Sequence, residues 1–302
     1  MMNTPYHPFL SDDARTTYLT YYDEAATQWP IPSETKMVET AYGQTFVRIS
    51  GPVDAPPLVL LPGAGSTSLM WTLSIEALST DYRTYAIDSL INTGCVGRSV
   101  YTRTISNAEQ ASDWLDGLFD GLGLVDEVNL IGPSYGGWVA SQYALRYPNR
   151  LRKMVWIAPA GTILPFSDAY LQHSMALYIA PGPDTFSNYF KWCFSDLAKK
   201  HPDMLNAMVG EFALTMQSFV PPNPQEVPVL TAMSDEELQH ITTPTLCLIG
   251  ENDVLYAAKD AMQRLHTVAP QIETTLIPDA GHDLLLVQRD MVNQEIVAFL
   301  QT

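Results

Sequence analysis

Basic residues are scarce in this chain: 16 Lys and Arg stand against 33 Asp and Glu over 302 residues, a formal charge of −17. Nucleic acid and anionic membrane surfaces both call for a basic footprint, so neither is expected as a partner. An anionic substrate would meet a repulsive field as well. Charge of either sign is sparse, at 16% of residues against about 25% in an average chain, so the imbalance reflects missing Lys and Arg more than an acidic run. Long apolar runs are also lacking. None approaches the ~20 residues needed to span a bilayer, and the opening MMNTPYHPFLSDDARTTY has no basic start followed by an apolar core. The expectation is a soluble protein kept in the cytoplasm. Cysteine is equally rare: Cys95, Cys193 and Cys247 are odd in number and lack metal-type or redox-type spacing. Structural disulfides, a metal site and a cofactor are therefore not expected. Internal repeats and low-complexity tracts are missing too.

What is present is enough apolar material, 46% of the residues, for a sizeable core. Short β-type runs alternate with longer helical patterns. MVETAYGQTFVRIS (37–50) reads as two strands joined near Tyr42-Gly43, and PLVLL (57–61) is apolar on both faces, as in a buried strand. YRTYAID (82–88), EVNLIG (127–132), KMVWIAP (153–159), PTLCLIG (244–250) and IETTLIP (272–278) continue the series, with helical patterns at 107–124, 135–147, 257–269 and 289–301. Such alternation predicts an α/β fold with a mainly parallel sheet flanked by helices. It fails between about Thr162 and His240, a stretch rich in Met, Phe, Tyr and Pro that closes on a capping-box pattern from Ser234 to Glu237. The expected division is an N-terminal helical extension over 1–35, a core over 36–161 and 241–302, and a helical insertion over 162–240. The extension is read as a structural helix packed on the outside of the sheet.

GPSYGG has the form G-x-S-x-G, filled by Gly132, Pro133, Ser134, Tyr135 and Gly136. A serine in a glycine-rich turn is more often inert than catalytic, but here an apolar strand precedes it and a helix follows. That is the setting of a nucleophile on a strained strand-to-helix turn, whose crowded backbones demand small residues on either side. A serine hydroxyl needs a base within hydrogen-bond reach, itself oriented by an acid. Of the six histidines, His7 lies in the N-terminal stretch, His173, His201 and His240 in or beside the insertion, and His266 within a helical pattern. His282 alone follows a late strand in a glycine turn, IPDAGHD. For the acid, Asp253 in LIGENDVLY follows the glycine that ends a strand, at the edge where α/β sheets gather their chemistry. Asp279 reads as a turn former, Asp283 is left open, and Glu251 is the weaker alternative. Oxyanion donors are expected from the backbone N–H of Tyr135 and, from the loop PGAGSTSLMW after PLVLL, that of Ala64.

LLPGAGSTSLMW, GPSYGGW, GENDVLY and AGHD, in this order, resemble the α/β-hydrolase superfamily over roughly residues 37 to 300. The opening helix, QWPIP, YGQTFVRISG and AIDSLINTGCVGRSV are similar to bacterial carboxylesterases of the naproxen-hydrolysing type. The resemblance implies an eight-stranded core, a helical cap inserted after the sixth strand, and the triad and oxyanion roles just assigned. Two positions depart from it. Pro62-Gly63 stands where many members have His-Gly, and Pro133 where a His is common, although neither side chain takes part in the chemistry.

The function expected is hydrolysis of small carboxylic esters, of short to medium acyl or aryl type, through an acyl-enzyme. Met175, Tyr178, Phe186, Phe190, Trp192 and Phe194 are the apolar candidates for lining a bounded pocket. A carbon–carbon hydrolase of ring-fission products is the alternative, but its acidic substrate calls for an Arg that residues 162–240 lack. A ligand receptor on the same fold is a further alternative. Oligomeric state stays open.

Overall fold

Side chains along a strand point alternately to the two faces of a sheet, and the buried strands of this chain divide accordingly. Val59, Leu61, Trp156, Cys247 and Ile249 join one apolar cluster, whereas Leu58, Leu60, Val155, Ile157, Leu246 and Leu248 join another. Both faces are therefore covered, which is why these strands read as continuous apolar runs.

The computed structural model describes residues 9–89, 91, 97–221 and 223–302, so His7 and Cys95 lie outside the described residues, as does the side chain of Tyr178. The sheet is built from β1 (Ser33–Thr40), β2 (Gly43–Ser50), β3 (Pro57–Leu60), β4 (Arg83–Ile87), β5 (Val100–Tyr101), β6 (Val128–Pro133), β7 (Leu151–Ile157), β8 (Thr245–Gly250) and β9 (Ile272–Ile277). Its path runs β1-β2-β4-β3-β6-β7-β8-β9, eight strands as expected, with the two-residue β5 added beside β2. From β4 through β9 every neighbour on the path is parallel; β1 and β2 are antiparallel.

One face is covered by α3 (Ala108–Leu122), α4 (Tyr135–Arg146) and α10 (Ala258–Val268), whose Trp114, Val139 and Leu265 belong to the first cluster. The other is covered by α2 (Ile75–Leu78) and α12 (Arg289–Gln301), through Ile75, Ile296 and Phe299. The start of α3 is fixed by Asn107, whose side chain accepts from the Gln110 N–H, and its end by Gly123 in the left-handed region. Parallel strands all end at one edge of such a sheet. The turns after β3, β4, β6, β8 and β9 meet there.

Between β7 and β8 the described residues form α5 (Asp168–Ile179), α6 (Pro183–Cys193), α7 (Ser195–Lys200), α8 (Pro202–Ser218) and α9 (Asp235–Gln239). They hold an apolar cluster of their own around Phe190, Leu197 and Leu205. The capping box expected at Ser234 and Glu237 is formed. No strand runs through this stretch among the described residues, which carries only an isolated bridge from Phe219 to Phe9.

The N-terminal helix, α1 (Asp12–Ala26), packs on the sheet through Tyr22, whose ring stands edge-on to Phe46 of β2 at 6.1 Å, and it reaches beyond the sheet as well. Its Tyr18 ring packs edge-on against Phe219, just beyond α8, at 4.7 Å between centroids, and its Tyr22 hydroxyl reaches Ser68 and Asp88. The sequence shows the helical spacing but not the long-range partner.

Candidate active site

Crowding at the turn after β6 dictates the sequence GPSYGG. A Cβ at Gly132 would stand 2.2 Å from the Gly136 carbonyl oxygen, and one at Gly136 only 2.7 Å from the Pro62 oxygen. Gly137, which the pattern reading passed over, is equally constrained, since its Cβ would meet that of Pro159 at 2.8 Å. The doubled glycine in SYGGW was the available signal. Ser134 itself adopts φ 49°, ψ −116°, a conformation that costs a non-glycine residue about 1–3 kcal/mol and persists only where its surroundings enforce it. They do: the Ser134 N–H donates to Ile157 O at 2.8 Å, and its carbonyl accepts from the N–H groups of Gly137 and Ala160, each at 3.0 Å.

The turn after β9 brings His282 to this serine, with Nε2 2.9 Å from Ser134 Oγ. On the other side of the ring, Nδ1 lies 3.0 Å from Asp253 Oδ2. Asp253 comes from the turn after β8, its side chain fully buried, and its Oδ1 accepts from the Leu255 N–H at 2.8 Å. An ionised carboxylate only accepts, so Nδ1 carries the proton and Nε2 is left to accept from the serine hydroxyl. The three side chains thus come together from three turns at one sheet edge.

The rival groups lie elsewhere. Asp279 is exposed and sits at φ 52°, a turn residue whose carbonyl accepts from Lys200 Nζ at 2.6 Å. Glu251 is exposed. Asp283, left open from sequence, is buried and holds the N–H groups of Gly281 and Leu197. Among the other histidines, His173 stacks on Trp192 at 3.9 Å, His240 bonds the Glu236 carbonyl and His266 bonds Thr274, and all three are exposed.

Facing the serine, the loop after β3 passes close enough that a Cβ at Gly63 would be 3.9 Å from the Ser134 Cβ. The Gly63 N–H is taken by Met70 Sδ at 3.2 Å. Neither the Ala64 N–H nor that of Tyr135, the first residue of α4, donates to a protein acceptor among the described residues. The start of a helix leaves its first N–H groups unpaired, and their partial positive charge favours an anion. Pro62 takes part in this packing through its carbonyl oxygen, the atom that a Cβ at Gly136 would meet at 2.7 Å. Farther along, Ser68 N–H donates to Asp88 at 2.7 Å, Arg98 N–H donates to it at 2.9 Å, and the Tyr22 hydroxyl at 3.0 Å. Burial pushes the Asp88 carboxyl up from its ordinary value, with these bonds opposing the shift.

From the insertion, Phe194 stands beside His282, the two ring centroids 6.2 Å apart. The other apolar candidates divide differently from the expectation. Phe186 and Phe190 are buried against Phe212 inside the insertion, and Met175 is 57% exposed on its outer side. Helical spacing marks which residues share a face but not which face looks inward. Cys193 is buried near Asp253 and Asp283, and burial first, then Asp253, pushes its thiol up. No group of three or more His, Cys, Asp or Glu side chains among the described residues is arranged to hold a metal ion. No helix among them is long and apolar enough to cross a membrane.

Comparison with known proteins agrees with this fold. A family model described as the alpha/beta hydrolase family matches residues 58–295. The chain is 34% identical over 292 residues to an uncharacterized carboxylesterase, nap, of Bacillus subtilis (strain 168), covering 97% of this chain and 94% of that one. Among solved structures, naproxen esterase (carboxylesterase NP) from Bacillus subtilis superposes with a TM-score of 0.86 at 32% identity, over 97% of this chain and 100% of the other. The meta-cleavage product hydrolase from Pseudomonas fluorescens IP01, at 23% identity and a TM-score of 0.72 over 88% and 97% of the two chains, shares the fold.

Proposed function

The chain belongs to the alpha/beta hydrolase family, and on that premise we propose that it is a carboxylesterase with Ser134 as nucleophile, His282 as general base and Asp253 as orienting acid. The observation that carries this reading is the unbroken hydrogen-bond chain from Ser134 Oγ through the imidazole to a fully buried Asp253 side chain. His282 Nε2 takes the hydroxyl proton as Oγ attacks the ester carbonyl. The carbonyl oxygen, now an oxyanion, is held by the Ala64 and Tyr135 N–H groups, each such donor being worth about 2.7–4 kcal/mol in serine hydrolases. Collapse breaks the bond to the alkoxy oxygen, which leaves with the proton from His282. Water, deprotonated by the same nitrogen, then attacks the acyl-enzyme and releases the acid.

The likeness to a Bacillus subtilis carboxylesterase supports an ester substrate. A ring-fission substrate is acidic, whereas residues 162–240 contain no arginine and the chain carries −17 overall. We assign residues 162–240 the role of a cap over the site, with Phe194 as its contact to the base. A capped site has an end, so short to medium acyl or aryl esters are the expected class. Free, buried Cys193 and Cys247 agree with a cytoplasmic location.

Rates on p-nitrophenyl esters of increasing acyl length, beside matched anilides and ring-fission dienes, test the reading. Turnover is expected on esters, with an optimum at short to medium chains and no jump above substrate solubility. Each methylene that fits adds up to ~0.8 kcal/mol of transfer free energy until the chain meets the cap. Turnover of the dienes alone, or an optimum at long chains with interfacial activation, would contradict it.

A further inference from the structure

Helix α7 has only six residues, yet it touches both catalytic turns. Asp283, 1% exposed, accepts from the Gly281 N–H through Oδ1 at 2.9 Å and from the Leu197 N–H of α7 through Oδ2 at 2.7 Å. Asp196, the neighbour of Leu197, accepts through Oδ2 from Asn252 Nδ2 at 2.9 Å. Gly281 and Asn252 immediately precede His282 and Asp253 in the chain. The two turns are also joined directly, the Asn252 N–H donating to Ala280 O at 2.9 Å.

We propose that Asp283 is the positioning residue for His282: one carboxylate clamps the turn that carries the base to α7 of the insertion. Asp196 and Asn252 make the matching tie to the turn that carries Asp253. This inference rests on the reading of Ser134, His282 and Asp253 as a triad.

Two costs compete at Asp283. Taking a carboxylate out of water is unfavourable, and burial does push the Asp283 carboxyl up from its ordinary value. Its two backbone N–H bonds oppose that shift, and they satisfy donors that an apolar residue at 283 would strand in the interior. Gly281 has no side chain with which to anchor itself. An external clamp therefore decides where the His282 backbone stands, and a displacement of about 1 Å at a reacting group costs roughly 10²-fold in rate. The insertion is thereby divided: α7 stays with the catalytic turns, and any opening for substrate falls to its other helices.

The test uses the full chain and three variants, Asp283→Ala, Asp283→Asn and Asn252→Ala. For each, kcat and KM on p-nitrophenyl butyrate are measured beside a thermal melt and the rate at which a fluorophosphonate labels Ser134. Asp283→Ala is expected to lower kcat and the labelling rate together by about 10²-fold, with KM changed no more than about threefold. Asp283→Asn keeps one acceptor and places an amide N–H₂ against the other donor, so its loss falls between Ala and wild type. Should Asp283→Ala not fold, Asp283→Asn and Asn252→Ala carry the test, each expected at about tenfold or more below wild type in kcat. Lower melting temperatures with wild-type kcat per folded molecule, in whichever variants fold, would overturn the proposal and leave Asp283 with a purely structural role. Failure of the wild type to label at Ser134 would instead remove the triad reading itself.

Discussion

Tyr22 and Asp88, 66 residues apart in sequence, meet through a buried hydrogen bond of 3.0 Å, and the same carboxylate holds the N–H of Ser68 in the oxyanion-loop segment at 2.7 Å. The N-terminal helix is thereby connected to the loop that faces Ser134. Tyr22→Phe removes one donor from a buried carboxylate, a loss of about 1.5–3 kcal/mol. At ~2–4 °C per kcal/mol for a domain of this scale, the melting temperature should fall by several degrees. A thermal melt checks it; an unchanged midpoint would show that the bond contributes nothing.

Asp88 also makes stability depend on pH. Its folded pKa is raised above 3.8 by burial, so the native state holds this proton more tightly than the unfolded one. The resulting stabilisation is full at low pH and is lost as pH rises from 3.8 through the folded value. Relative to Asp88→Asn, which does not titrate, the wild type should lose stability as pH is raised across that window. Urea midpoints of both proteins at several pH values measure the difference. A wild type that gains stability relative to the variant over the same range would reverse the sign.

Asp253, proposed as the acid that orients His282, is distinguishable from Asp279. Asp253→Asn turns the group facing His282 Nδ1 from an acceptor into a possible donor and favours the wrong tautomer, and a comparable change in another serine hydrolase costs about 10⁴-fold in kcat. Asp279→Asn, at an exposed turn position, should stay within about threefold of wild type. Steady-state kinetics on one ester settles the order. Were Asp279→Asn the crippling change, the assignment of the acid would be wrong.

Much of this candidate site is legible in the sequence because it is local. Ser134, His282 and Asp253 each sit one turn beyond an apolar run, and the glycines around the serine report crowding that the chain must relieve at that point. The remainder depends on who meets whom across the chain. Nothing near Asp283 in sequence announces Leu197, 86 residues away, and nothing near Tyr22 announces Asp88. Within the insertion, aromatic spacing picks out packed residues. It cannot tell Phe190, packed against Phe212, from Phe194, which faces His282.

Gly137→Ala tests the elbow where the pattern reading fell short. The added Cβ would stand 2.8 Å from that of Pro159 and 3.0 Å from the Gly132 oxygen, so the turn must shift. Overpacking of this kind costs about 1–3 kcal/mol, and because the shift falls on the serine turn, kcat should drop even in the folded fraction. Circular dichroism melts and active-site titration separate the two effects. A fully active, destabilised variant would show that the elbow tolerates the movement.

Thiol chemistry offers an independent check on the packing. Cys193 and Cys247 are buried, and burial pushes both thiols up, so neither presents a thiolate. Iodoacetamide added to the native protein should leave both unmodified, and urea should expose both. Peptide mass mapping reads the outcome, and rapid native modification of Cys193 would show that α6 opens away from the site.

The central claim is that Ser134, strained on its turn and hydrogen-bonded to His282, is the nucleophile. A fluorophosphonate probe tests it most directly, because only a serine with a paired base and an oxyanion hole reacts at a useful rate. The expected result is a single phosphonylated peptide containing Ser134, with ester turnover lost in step with labelling and both abolished in Ser134→Ala. Label on a different serine, or undiminished ester turnover in Ser134→Ala, would contradict the account.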